Sequence, residues 1–266
     1  MDGKRNHHIK GAPGYALNEF EDKASVEPGA LYLVSTPIGN LRDISLRALD
    51  VLAQVDWIAA EDTRTSKVLL ERHHIQTPMI SCHEFNEENV TPQLINRLKN
   101  RSSVAVITDA GTPGISDPAF FLVREAIRNQ IPIFAVPGAT AFVPALILSG
   151  LPTERFVFEG FLPVKKGRRS RLQKLVGEER TIILYESPHR LLKTMRELTE
   201  FLGDRSVAVV RELTKKFEQI YRGTLAESES ALSSWTIKGE FVIVVAGTGK
   251  RQRNDKHENR KHHDES

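Results

Sequence analysis

Residues 31–136 carry five short apolar runs, and each ends in a cluster of polar, Gly or Pro residues. The runs are LYLV at 31–34, WIAA at 57–60, MIS at 79–81, VAVI at 104–107 and IPIFAV at 131–136. Each is bounded by turn residues and reads as a strand buried on both faces. Between them apolar residues recur at helical spacing, as in Leu46, Leu49 and Leu52 or Val90, Leu94, Ile95 and Leu98. Strands alternating with helices over this length predict a parallel sheet with right-handed crossovers. In such a sheet all strand ends share one edge, where open α/β folds bind ligands. Thr36-Pro37, Glu61-Asp62, His83-Glu84, Thr108-Asp109 and Pro137-Gly138 therefore converge on one candidate site.

The most informative cluster follows the fourth run, in VAVITDAGTPGISDP at 104–118. Gly111 and Gly114 permit positive φ and close approach of backbone to a ligand, and Asp109 sets an acceptor beside them. Ser116 or Asp117 is expected to cap the next helix, with Pro118 at its first position. A second unit starts near Gly150-Leu151-Pro152, with strands expected at 156–160, 181–185, 206–211, 217–222 and 241–245. No long crossover joins the last strands, so this sheet is expected to be mixed. The expected organisation is a leader at 1–29, a first α/β domain at 30–149, a second at 150–248 and a charged, disordered tail at 249–266.

Composition removes several functions. One cysteine, Cys82, forms no internal disulfide and no zinc framework, which fits a reducing compartment. No apolar run is long enough to span a membrane: the nearest, at 134–148, is broken by Pro137, Gly138 and Pro144. The leader lacks a signal peptide's apolar core, so a cytoplasmic location is expected. No GxGxxG follows a strand. Gly247-Thr248-Gly249-Lys250 lacks a P-loop's first glycine and its final Ser or Thr, which argues against a nucleotide triphosphatase. Net charge is only +3, but residues 165–174 hold six cations and no acid. Lys165, Lys166, Arg168, Arg169, Arg171 and Lys174 read as a solvated loop or as phosphate contacts to RNA, which Arg64, Arg190 and Arg211 would extend.

Six motifs occur together and in order: TPIGNL at 36–41, EDTR at 61–64, TDAGTPGISDP at 108–118, PGAT at 137–140, YESPHR at 185–190 and RELTK at 211–215. On these residues the chain resembles the tetrapyrrole methylase superfamily, over about residues 31–247, and most closely its branch that methylates small-subunit ribosomal RNA. The resemblance implies two α/β domains with S-adenosylmethionine in the cleft between them, and usually a homodimer. It implies transfer of a methyl group to the ribose 2′-oxygen of a cytidine in the decoding centre of 16S rRNA. By motif match, Pro37, Asp109, Gly111, Thr112, Pro113, Asp117, Thr140, Ala141, Tyr185 and Leu213 would hold the cofactor. The chain departs at Ala119, where Gly is frequent, and after the last strand, where a Lys/Arg/His-rich tail replaces a small helical extension.

Methyl transfer to a hydroxyl needs in-line alignment and a proton acceptor. Glu61, Asp62, Arg64, His83, Glu186 and His189 are the candidates, and helix capping is the competing role for the carboxylates. The chemistry requires no metal. Two other readings stay open: a tetrapyrrole methylase of the same fold, which would not need the basic segment, and a non-catalytic RNA-binding protein, which would not need the 108–118 loop.

Overall fold

The computed structural model describes residues 25–249, so the expected leader, apart from its last five residues, and nearly all of the tail lie outside the described residues. The first sheet contains β1 (Leu31–Val34), β2 (Trp57–Ala60), β3 (Met79–Ser81), β4 (Val104–Ile107) and β5 (Ile133–Val136). It is parallel throughout, in the order β3-β2-β4-β1-β5. Alternate residues feed opposite faces. Tyr32, Val34, Ala105 and Ile107 pack with α1 (Leu46–Gln54) and α2 (Thr63–Arg72). Leu31, Val104 and Val106 pack with α3 (Glu87–Lys99) and α4 (Phe120–Arg128).

The chain from β1 thus goes to one face and the chain from β4 to the other. These neighbouring strands form a topological switch point, and their two loops must part there. A single antiparallel bridge, Thr36 to Gly111, joins the loops where they diverge.

The second sheet has β6 (Phe156–Phe161), β7 (Thr181–Glu186), β8 (Ser206–Arg211), β9 (Gln219–Thr224) and β10 (Phe241–Val245). Its order is β6-β7-β10-β8-β9, with β6–β7 parallel and the other pairs antiparallel. This is the mixed sheet expected. One face carries Ile182, Leu184, Val209 and Ile243 against α6 (Arg168–Leu175), α7 (Leu191–Leu202) and α8 (Leu225–Ser233). The other face carries Ile183, Val210 and Val244 against Ala145 and Leu146 of α5 (Phe142–Ser149), and Ile38 from the β1 loop joins this cluster. By its contacts α5 belongs with the second sheet, although the sequence reading groups it with the first domain. No helix among the described residues is long and apolar enough to cross a membrane.

Local capping chemistry sets three of the α-helix starts. Ser45 accepts from the Ala48 amide, Asp62 from the Arg64 amide and Thr224 from the Glu227 amide. The start of α4 departs from expectation. It begins at Phe120 after Ala119 (φ 142°), with no side-chain cap of its own. Its Leu122 amide donates instead to Glu87 Oε1 of α3, at 3.0 Å. Ser116, Asp117 and Pro118 are therefore left in the loop rather than at the helix start.

Candidate active site

A cavity of about 360 Å³ lies between the two sheets, lined by residues of both. The strand-end loops of the first sheet contribute Ile38, Glu61, Asp109–Thr112, Ile115–Asp117 and Thr140-Ala141, and the second sheet contributes Tyr185, Val210, Leu213, Glu240 and Val242.

Hydroxyls and backbone bonds lock the floor. The Thr36 amide donates to the Gly111 carbonyl at 2.8 Å, and the Gly111 amide returns to the Thr36 carbonyl at 3.1 Å. Gly111 holds φ +99°, a conformation that favours glycine. Thr112 Oγ1 lies 3.1 Å from the Ala139 carbonyl, 2.9 Å from Ser35 Oγ and 2.7 Å from Thr140 Oγ1. With its one proton on the carbonyl, Thr112 accepts from both other hydroxyls. One side chain thereby ties the ends of β1, β4 and β5. Pro37 and Pro113 are buried in these loops without lining the cavity.

The electrostatics are uneven. The Asp62 amide donates to Asp109 and the Asp109 amide to Glu61, both at 3.2 Å, so β2 and β4 end in a reciprocal clasp. Burial raises the Glu61 and Asp109 carboxyls, and neighbouring carboxylates add to the effect. Asp117 is displaced furthest, to about 7, by burial first and then by the charges of Glu61 and Asp109. None of the three makes an ion pair among the described residues. Tyr185 accepts from the Phe142 amide at 3.3 Å, and burial pushes its hydroxyl up to about 12, so it stays protonated. The cleft thus offers apolar walls beside three carboxylates without a cation. That chemistry fits an elongated ligand with an apolar body and positive charge, as the sulfonium and ammonium of S-adenosylmethionine provide.

The geometry redistributes the expected catalytic residues. Glu61 lines the cleft. Asp62 does not: it caps α2 and grips Arg64 at 2.7 Å, a pairing that holds its carboxyl at about 2. Glu186 is 2% exposed. Its carboxylate takes the Ser187 amide at 2.8 Å, Arg190 Nε at 2.7 Å and Thr194 Oγ1 at 2.6 Å, which leaves it no room to act as a base. His189 is exposed away from the cavity, and His83 does not line it.

The basic segment also needs correction. Arg168 is 5% exposed and serves the fold: it donates to Glu197 at 2.7 Å, to Thr194 at 2.6 Å and to the Pro163 carbonyl at 3.2 Å. Lys165, Lys166, Arg169, Arg171 and Lys174 are exposed, with Arg171 paired to Glu159. Sequence reasoning missed Phe161, Gly239 and Glu240, which line the cleft without belonging to any strand-end motif.

Comparison with known proteins agrees with this arrangement. Residues 30–229 match the family of Tetrapyrrole (Corrin/Porphyrin) Methylases. The chain belongs to the tetrapyrrole methylase family. Within that family it is similar to the ribosomal RNA small subunit methyltransferase I of Synechocystis sp., 52% identical over 82% of this chain and 79% of the relative. The protein of that name from Thermotoga maritima is 44% identical over 82% of this chain and 99% of the relative. Among solved structures, a cobalt precorrin-4 methyltransferase of cobalamin biosynthesis superposes with a TM-score of 0.59 at 22% identity, over 82% of this chain and 95% of the other. A uroporphyrin-III C-methyltransferase from Thermus thermophilus, complexed with S-adenyl homocysteine, superposes at 0.57 with 18% identity, over 82% and 97%. The tetrapyrrole methylase fold thus accounts for both sheets and for a cleft between them.

Proposed function

We propose that this protein transfers a methyl group from S-adenosylmethionine to the ribose 2′-hydroxyl of a cytidine in the 16S rRNA of the small ribosomal subunit. One observation carries the reading most: apolar walls and three carboxylates without an ion pair among the described residues, Glu61, Asp109 and Asp117, meet in one cleft at the switch point. S-adenosylmethionine, when bound, supplies an activated methyl group and a positive charge. Ile38, Val210, Leu213 and Val242 give it apolar walls, and Gly111, Thr112, Thr140 and Ala141 form the floor. Asp117 takes the proton of the 2′-hydroxyl, since a base titrating near neutrality is best matched to this task. Burial, and then the charges of Glu61 and Asp109, keep the Asp117 proton affinity high. A homodimer and a cytoplasmic location belong to the same reading. Val143 and Ile147 leave an apolar strip exposed on α5, whereas Leu146 is spent in the core; a monomeric mass in light scattering would remove the dimer.

The test pairs calorimetry of S-adenosylmethionine binding with methyl transfer to small subunits, mapped by 2′-O-methyl sequencing. Binding without transfer would turn the reading towards a small-molecule methylase, and neither would sink both.

The exposed cations of 165–174 carry the RNA part. The double variant Lys166→Ala, Arg169→Ala is expected to weaken binding of the small subunit and to flatten its salt dependence by roughly one unit of slope per lost contact. Cofactor affinity should hold, because neither residue lines the cleft. An unchanged salt slope would make the segment a solvated loop. Arg168 is unsuited to this test, because its loss would unfold a buried network.

A further inference from the structure

A bulge in β6 decides where Phe161 points. Against β7, Phe158 pairs with Ile183 and Gly160 with Leu184, so Glu159 is an extra residue without a partner. Side chains alternate along a strand, so one extra residue reverses every side chain after it. Phe161 therefore stands opposite Tyr185, on the same face as Phe158, and its ring meets the Tyr185 ring edge-on at 5.6 Å. In a regular strand it would oppose Glu186 and turn towards the face covered by α6 and α7. The bulge sends it to the cleft, where it remains 53% exposed. Gly160 (φ +60°) lets the strand end lie against the first sheet's loop: a Cβ there would come within 3.1 Å of Ser116 Oγ.

Phe161 is shared by two cavities. It lines the cleft with Asp109, Asp117 and Tyr185, and it also lines a second cavity of about 350 Å³ with Glu159, Gly167, Ser170, Arg171 and Lys174. Lys174 makes no ion pair among the described residues, and Arg171 is shared with the bulged Glu159. A half-exposed aromatic ring between a reaction cleft and a cationic pocket matches a nucleotide splayed from its helix. The base stacks, the phosphate meets the cations and the ribose is left at the cleft.

We propose that Phe161 is the stacking platform for a base of the RNA substrate, with Arg171 and Lys174 holding the adjoining phosphate. This rests on the RNA methyltransferase reading. The experiment compares Phe161→Ala, Phe161→Leu and Phe161→Tyr in methyl transfer to small ribosomal subunits, with cofactor affinity measured on the same proteins. Loss of one stacked base should raise KM for the subunit about 5- to 150-fold in the Ala and Leu variants. The Tyr variant should stay near wild type, and, because Phe161 also lines the cleft, any fall in cofactor affinity should be much smaller than the rise in KM. The proposal is overturned if Leu works as well as Tyr, if Ala matches wild type, or if the whole effect reappears as lost cofactor affinity. Should the wild-type protein methylate no small subunit, the underlying reading fails. The platform is then judged by quenching of a short oligoribonucleotide containing 2-aminopurine: quenching abolished by Phe161→Ala supports it, and no quenching by wild type overturns it.

Discussion

Asp117→Asn is expected to lower methyl transfer to small subunits by about 10²- to 10⁴-fold, the range for losing a general base. The residue lies in the cleft, makes no ion pair among the described residues and is pushed up to about 7. In the free enzyme, kcat/KM should therefore rise with pH through about 7 and then level. A bound sulfonium favours the charged carboxylate, so the corresponding limb of kcat should lie at lower pH. The variant should lose that limb. Stability gives an independent reading of the same group. Its folded pKa is raised, so the native state holds a proton that the unfolded chain releases from about pH 4 upward. Wild-type protein without ligand should lose stability as pH rises from there through about 7, and Asp117→Asn should lose less, since only the raised Glu61 and Asp109 remain. A variant that melts higher than wild type at pH 8 yet fails to transfer methyl groups would show a site held at the expense of the fold. Wild-type activity in the variant would remove Asp117 from the chemistry.

Glu186→Ala is expected to cost about 3–5 kcal/mol, the range for breaking a buried ion pair from one side. In a chain of this size that lowers Tm by roughly 6–20 °C. The carboxylate anchors Arg190 and Thr194, and Arg168 lies 4.0 Å away. Its removal strands the Arg190 guanidinium at the root of α7, while Arg168 keeps Glu197. Glu186→Gln should recover part of the loss, since an amide oxygen at the Oε1 position still accepts from Ser187 and Arg190. Thermal melts check both variants. The rate at permissive temperature checks the role: a positioning residue lowers it without moving the pH limb assigned to Asp117. A shifted limb in Glu186→Gln would return Glu186 to the chemistry.

The difference between these carboxylates marks where sequence stops being informative. Strand runs such as VAVI are legible because a strand buried on both faces must be apolar throughout, and their order along the chain implies the shared edge. Ser45 and Asp62 are legible as caps because capping is local. The start of α4 is not, because its Leu122 amide is satisfied by Glu87 from another helix. Arg168 reads as one more cation in a basic run, and only Glu197 and Thr194, far along the chain, bury it. Asp117 is legible as a loop residue, but its altered proton affinity comes from burial between the two sheets and then from the charges of Glu61, at the end of β2, and Asp109 of its own loop. Phe161 depends on a one-residue change of register that leaves no mark in composition.

The placement of α5 bears on how the chain is made. Ala145 and Leu146 emerge from the ribosome on the order of a hundred residues before Val244 of β10, one of the strand residues they pack against. At ordinary synthesis rates that interval lasts about 5–20 s. The first sheet can complete its own core meanwhile, but α5, apolar on nearly every side and with Ile147 still 67% exposed in the finished fold, has no surface to cover it. During that window the nascent chain presents a sticky helix next to a folded unit. Chaperone capture and aggregation of truncated chains should both concentrate there.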